Sequence, residues 1–123
     1  MMQILYQMDM TGDFREETLD RHLAEHKPGS QREYFERVYQ AFTENREAID
    51  EKIARYSVSW KLDRMPRTDV AILRLATAEI VYIDTIPDAV SINEAVELAK
   101  KYGTEQSPKF VNAILGSIVK EIR

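Results

Sequence analysis

The arrangement with the most chemical potential is His22-Leu23-Ala24-Glu25-His26, an H-x-x-E-H spacing. Imidazoles at i and i+4 fall on one helix face, as paired zinc ligands do. The chain has only these 2 histidines, and a catalytic site also needs a third ligand and a cleft. Pro28-Gly29 follows directly, so the pair reads either as a casual metal site or as a solvated helix end. Ser30, Ser91 and Ser107 stand at helix-cap positions, and no G-x-S-x-G surrounds them. The 4 glycines are singletons at 12, 29, 103 and 116, so no glycine-rich loop cradles a phosphate. Cysteine is absent, which removes disulfide scaffolds, thiolate metal sites and cysteine nucleophiles. Arg74 and Glu79 lie in an otherwise apolar stretch with no second acid–base pair. They either satisfy buried groups or face a partner. The residues therefore spell a helical, non-enzymatic binding module with no metal and no cofactor.

The elements that position these residues are helical almost throughout. Met1–Met10 reads as a helix stopped at Thr11-Gly12, and a second runs from about Phe14 to His26, ended by Lys27-Pro28-Gly29. Ser30-Gln31-Arg32-Glu33 is a capping box. It opens the apolar repeat Phe35, Val38, Phe42, Ile49, Ile53, Tyr56, which a break near Thr43–Asn45 divides into two helices. Val58–Arg67, with Trp60 and Met65-Pro66, is a connector. Thr68 can cap a helix to about Asp84 that is apolar nearly all round, as a central buried helix is. Ser91-Ile92-Asn93-Glu94 is a second capping box, with Lys100 and Lys101 in that helix's last turn and Gly103 at its C′ position. Ser107-Pro108 supplies a cap and an N1 proline for the last helix, whose face is Phe110, Val111, Ile114, Leu115, Ile118, Val119 and Ile122. The expectation is one all-α domain of about seven helices in two packed subdomains, about 1–57 and 62–123. With 9% aromatic residues and 4 glycines, a many-turned β-fold is disfavoured. No run of about 18 apolar residues and no secretory signal is present, so no membrane contact and a cytoplasmic location are expected.

Net charge is −4, from 17 basic and 21 acidic side chains. Residues 1–57 carry 8 basic and 12 acidic groups, and residues 58–123 carry 9 of each. Over 100–123, Lys100, Lys101, Lys109, Lys120 and Arg123 face only Glu105 and Glu121, 5 − 2 = +3. Any polyanion contact therefore belongs to the C-terminal half. Tyr102 and Phe110 lie among those lysines, and single-stranded RNA is held by cations for phosphate and rings for bases. The helix start at Ser107–Lys109 can add backbone donors to a phosphate. Phe110, next to Val111 and Ile114, is divided between core packing and base stacking. Asn112 is divided between a solvated side chain and a base-edge contact.

Val90-Ser91-Ile92-Asn93-Glu94-Ala95-Val96-Glu97-Leu98-Ala99-Lys100-Lys101-Tyr102-Gly103, followed by Ser107-Pro108-Lys109-Phe110-Val111-Asn112-Ala113-Ile114-Leu115, resembles the NusB family of bacterial transcription antitermination factors. Ala71-Ile72-Leu73-Arg74-Leu75-Ala76, Glu79 and Ile86-Pro87 are similar to its central helix, and Gln3-Ile4-Leu5-Tyr6-Gln7 to its first. The resemblance covers essentially the whole chain and is strongest over 69–115. It implies two helical subdomains without catalysis. It implies a complex with ribosomal protein NusE on boxA-type single-stranded RNA of ribosomal RNA leaders, acting on the RNA polymerase elongation complex with other Nus factors. For the RNA surface it implies Lys100, Lys101, Tyr102, Gln106, Lys109, Phe110 and Asn112; for the NusE surface, Tyr6, Asp69 and Arg74. Asp69 at a helix start also reads as a dipole-stabilising residue. The family's arginine-rich segment before the first helix is not seen here. Either the sequence starts downstream of it or the RNA contact is weaker. One histidine of the family's S-H-K-F reads Pro108 here. The alternative is an RNA-binding accessory domain of a ribosomal RNA cytosine methyltransferase, and the expected state is a monomer or weak homodimer.

Overall fold

A computed structural model describes residues 2–15, 17–21, 32–57 and 64–123. The His22–His26 spacing, Lys27-Pro28-Gly29, the Ser30 capping box and Trp60 lie outside the described residues. Helix α1 is Met2–Thr11 and α2 covers 17–21. Then come α3 (Arg32–Glu44), α4 (Arg46–Tyr56), α5 (Arg67–Tyr82), α6 (Asp88–Tyr102) and α7 (Ser107–Ile122). The fold is all-α, as its periodicity predicts.

α1 buries Met2, Ile4, Leu5 and Met8, one stripe at helical spacing. It ends where Gly12 turns to φ 71°. The Asp13 N–H then donates to the Met8 carbonyl and the Gly12 N–H to that of Asp9, closing the last turn. α2 begins later than the sequence predicts. Asp13 accepts from the Arg15 N–H at 3.1 Å and the Thr18 hydroxyl at 2.6 Å, which holds 13–15 in a turn. Phe14 is not helical. Its ring centroid lies 5.7 Å from that of Phe42, with the Arg46 guanidinium 4.2 Å above it. The break at Asn45 falls where expected, its side-chain amide donating to the Ala41 carbonyl.

α5 is the axis. Every residue from Asp69 to Ile80 is buried, and α1, α3, α4, α6 and α7 all pack on it. Each large apolar side chain buried this way contributes about 1.5–3 kcal/mol. The ion pairs joining α4 to α7, where Lys52, Arg55 and the Tyr56 hydroxyl meet Glu121, are worth roughly 0–1 kcal/mol each. Apolar burial therefore decides the packing. The charge of Arg74 is answered from two other helices. Its guanidinium donates to both Asp50 oxygens at 2.9 Å and to Asp9 at 3.2 Å.

Three predicted caps are corrected. Thr68 lies inside the first turn of α5, because Pro66, extended at φ −50° and ψ 132°, fixes the start at Arg67. Ser91 is a buried residue within α6, because Pro87 is likewise extended and starts the helix at Asp88. Ser107 does not cap its own helix. Its hydroxyl accepts the Thr104 N–H at 2.9 Å and donates to Asp69 at 3.0 Å.

Glu79 has no ion pair among the described residues. Burial pushes its carboxyl up from 4.5 to about 7; Glu94 adds to the rise and the nearby Ser91 hydroxyl opposes it. A raised folded-state value means the folded chain binds the proton more tightly. The group's stabilising contribution is whole below pH 4.5 and is lost as pH rises to about 7. Glu79→Gln is expected to raise stability at pH 8 by about 1–3 kcal/mol and to leave it nearly unchanged at pH 4.5. Denaturant melts at both pH values check this, and equal stability of both proteins at pH 8 would refute it.

Candidate nucleic-acid interface

The cations and rings predicted for RNA lie on the α6–α7 hairpin. Lys100, Lys101 and Tyr102 end α6, Gln106 sits in the turn, and Lys109, Phe110 and Asn112 open α7. Lysines ending a helix face its negative pole, which favours their charge there. All are exposed except Phe110, which is half-buried against the core.

The structure distributes this set over three depressions. Lys100 and Lys101 line one with Glu94, Glu97 and Leu98, and Lys100 Nζ is paired to Glu97 at 3.2 Å. Tyr102, 40% exposed, carries the Lys101 ammonium 5.2 Å from its ring and accepts a hydrogen bond from the Gln3 amide at 3.1 Å. That bond ties the hairpin to α1, so Tyr102 shares a second depression with Tyr6, Gln7 and Thr68. Gln106, Lys109 and Phe110 line the third, with Asp69 and Ser107 beneath. Asn112 lies one turn further along α7, exposed.

The start of α7 is a weaker anion site than its position promises. The Ser107 N–H donates to the Thr104 carbonyl and the Phe110 N–H to that of Gln106, and Pro108 has no N–H. Among the described residues the Lys109 amide has no partner in that turn, and Asp69 adds negative charge below it. Phosphate recognition here falls to lysine side chains.

Of the residues expected to face a protein partner, Tyr6 is half-buried on α1, whereas Asp69 and Arg74 are 3% and 4% exposed. Burial pushes the Asp69 carboxyl up, and the Ser107 hydrogen bond opposes this. For Arg74, burial works against the charge, but Asp50 and Asp9 outweigh it and raise the guanidinium further. Sequence reasoning missed a groove of about 440 Å³ in which Met2, Phe35, Ile86, Val90 and Leu98 surround Glu79 and Glu94. Its signal was present in Glu79, one of the two charges between Val70 and Ile83. Among the described residues no group of three metal-ligating side chains is assembled. None of the described helices is long and apolar enough to cross a membrane.

The profile of the NusB family matches residues 1–120. The chain belongs to the NusB family. That family comprises non-catalytic transcription antitermination factors, so the chain is not an enzyme. The transcription antitermination protein NusB of Alkaliphilus oremlandii is 47% identical over 121 residues, 98% of this chain and 88% of the relative. That of Bacillus subtilis is 40% identical over 121 residues, 98% and 90%. These names favour the free-standing factor over the methyltransferase accessory domain. The solved structure of T. maritima NusB superposes with a TM-score of 0.89 at 40% identity, covering 98% of this chain and 85% of that one. A crystal structure of antitermination factors NusB and NusE in complex with dsRNA superposes with a TM-score of 0.86 at 26% identity, covering 98% and 90%.

In this NusB-family chain the hairpin depends on Gly103. The residue is not in the left-handed C′ conformation expected of it; its backbone is extended, with φ −94° and ψ −166°. Space is what requires glycine there. A Cβ would lie 2.5 Å from Ser107 Oγ and 2.8 Å from the Ala99 carbonyl. Gly103→Ala is expected to cost about 1–3 kcal/mol by overpacking and to displace Ser107 from Asp69. A thermal melt with amide chemical shifts around 104–110 checks it; a melting temperature equal to wild type would contradict the packing described.

Proposed function

We propose that this NusB-family protein binds boxA-type single-stranded RNA of ribosomal RNA leader transcripts jointly with ribosomal protein NusE. The complex then acts on elongating RNA polymerase with other Nus factors, in the cytoplasm. The observation that carries the reading is the α6–α7 hairpin. In a chain of net charge −4, it is the one stretch where Lys100, Lys101 and Lys109 stand exposed beside two aromatic rings. Lysines meet phosphates, Tyr102 and Phe110 offer faces to bases, and Gln106 and Asn112 offer amides to base edges. The likeness to the NusB–NusE–dsRNA complex supports RNA binding together with NusE.

The acidic groove around Glu79 and Glu94 suits the partner. An apolar trough whose described lining holds two carboxylates and no lysine or arginine complements a basic protein that brings an aliphatic anchor and a lysine or arginine. Tyr6 lies nearby on α1, on the depression shared with Tyr102, and belongs to the same proposed surface. Asp69 and Arg74 serve that surface from within, by holding α5 against the hairpin, α1 and α4.

The test is titration of a boxA-type RNA with and without NusE. Few phosphate contacts come from this chain alone, and a second surface on the same RNA raises effective affinity. NusE is expected to tighten binding by tenfold or more, and equal affinity with and without it would refute the reading. In the same assay Lys109→Ala should weaken binding by up to about 1.5 kcal/mol with an unchanged melting temperature. Phe110→Ala should weaken binding by about 1–3 kcal/mol and lower stability by less than the roughly 3–5 kcal/mol of a fully buried ring. Wild-type affinity in both variants would remove the RNA surface from the start of α7.

A further inference from the structure

We propose that the depression between the starts of α5 and α7 is a nucleobase pocket, in which Asp69 accepts a hydrogen bond from the exocyclic amino group of one base. The proposal rests on the RNA reading above and names a subsite within it. The pocket encloses about 370 Å³, room for one base. Asp69 and Ser107 form its floor, 3% and 1% exposed. Phe110 and Pro66 give it apolar walls, and Gln106 and Lys109 stand exposed at the rim.

The floor is unfinished. Ser107 donates to Asp69 Oδ2 at 3.0 Å, while Oδ1 is buried with no hydrogen-bond partner among the described residues. Buried polar atoms are nearly always paired, so an orphaned carboxylate oxygen on a residue that lines a pocket marks a position where a donor belongs. A phosphate does not fit, because the carboxylate repels it and the Ser107 and Phe110 amides are already engaged. A cation finds a single carboxylate in the described lining and no group of three metal-ligating side chains. What fits is a neutral planar group with an N–H at its edge. With Oδ2 held by Ser107, only one oxygen is open, which closes off the two-bond pairing that guanine makes with a free carboxylate. A single amino group of adenine, cytosine or guanine satisfies Oδ1. The uracil imino group is flanked by two carbonyl oxygens that would approach the carboxylate. Lys109 at the rim is placed for the adjoining phosphate.

The experiment uses the full chain at low salt with oligoadenylate, oligocytidylate and oligouridylate of one length, and with an oligomer of purine ribonucleoside, which is adenosine without its amino group. Wild type is expected to bind oligoadenylate and oligocytidylate about tenfold more tightly than oligouridylate, and the purine oligomer about tenfold more weakly than oligoadenylate. In Asp69→Asn the amide oxygen keeps Ser107 and the amide nitrogen takes the place of Oδ1, so an acceptor becomes a donor. The preference should then shift at least tenfold toward oligouridylate, with an unchanged salt slope, because the lysine–phosphate contacts remain. Binding of all oligomers equally by wild type would overturn the pocket and leave the RNA reading standing. Failure to bind any of them, with or without NusE, would overturn both. The purine comparison needs no variant, so an Asp69→Asn protein that fails to fold leaves the proposal fully exposed to refutation.

Discussion

A charge on a helix buried on every side is costly unless a neighbour answers it, and most of this structure follows from how α5 places Arg74, which is paired twice, and Glu79, which has no ion pair among the described residues. Its apolar residues attract five other helices. Arg74, in the midst of them, draws Asp50 from α4 and Asp9 from α1 into one ion cluster, which fixes their rotation about α5 as well as their distance. Arg67 adds a second contact to Asp9 at 3.0 Å. At the far end Arg123 grips Asp88 with two nitrogens and reaches the Ile80 carbonyl, closing α7 over the end of α5 and the start of α6.

The hairpin that carries the exposed lysines inherits its geometry from the same helix. Asp69, in the first turn of α5, holds Ser107, and Ser107 holds the backbone of Thr104. The turn therefore has a fixed shape before any ligand arrives, which lowers the ordering cost of binding. A family whose work is assembly rather than catalysis needs this kind of rigidity. Its surfaces must be preformed, and no group has to be activated.

Much of the fold was legible because its signals are local. The apolar run of α5, the Gly12 stop, the Asn45 break and the stripe on α7 are all periodicities or breakers. The caps were misread for a definable reason. Thr68 and Ser91 sit in sequences that resemble caps, but Pro66 and Pro87 fix extended backbone ahead of their helices, and tertiary contacts claimed Ser107. Of the site, the residue types at 100–112 were legible, since lysines beside rings near a helix junction form a composition signal. Their division among three depressions was not, because it depends on Gln3 reaching Tyr102 across 99 positions. Nor was the inward direction of Arg74, whose acidic partners are 24 and 65 residues away.

The pairing of α1 with α5 has a consequence for the chain during its own synthesis. Met2, Ile4, Leu5 and Met8 leave the ribosome before the surface that covers them, which starts at Arg67. At about 5–20 residues per second, this apolar stripe waits several seconds for its cover. During that interval the nascent chain presents a short hydrophobic helix to whatever surrounds it, the kind of segment that holdase chaperones bind. Translation speed across the middle third of the message therefore sets how long the first helix stays uncovered.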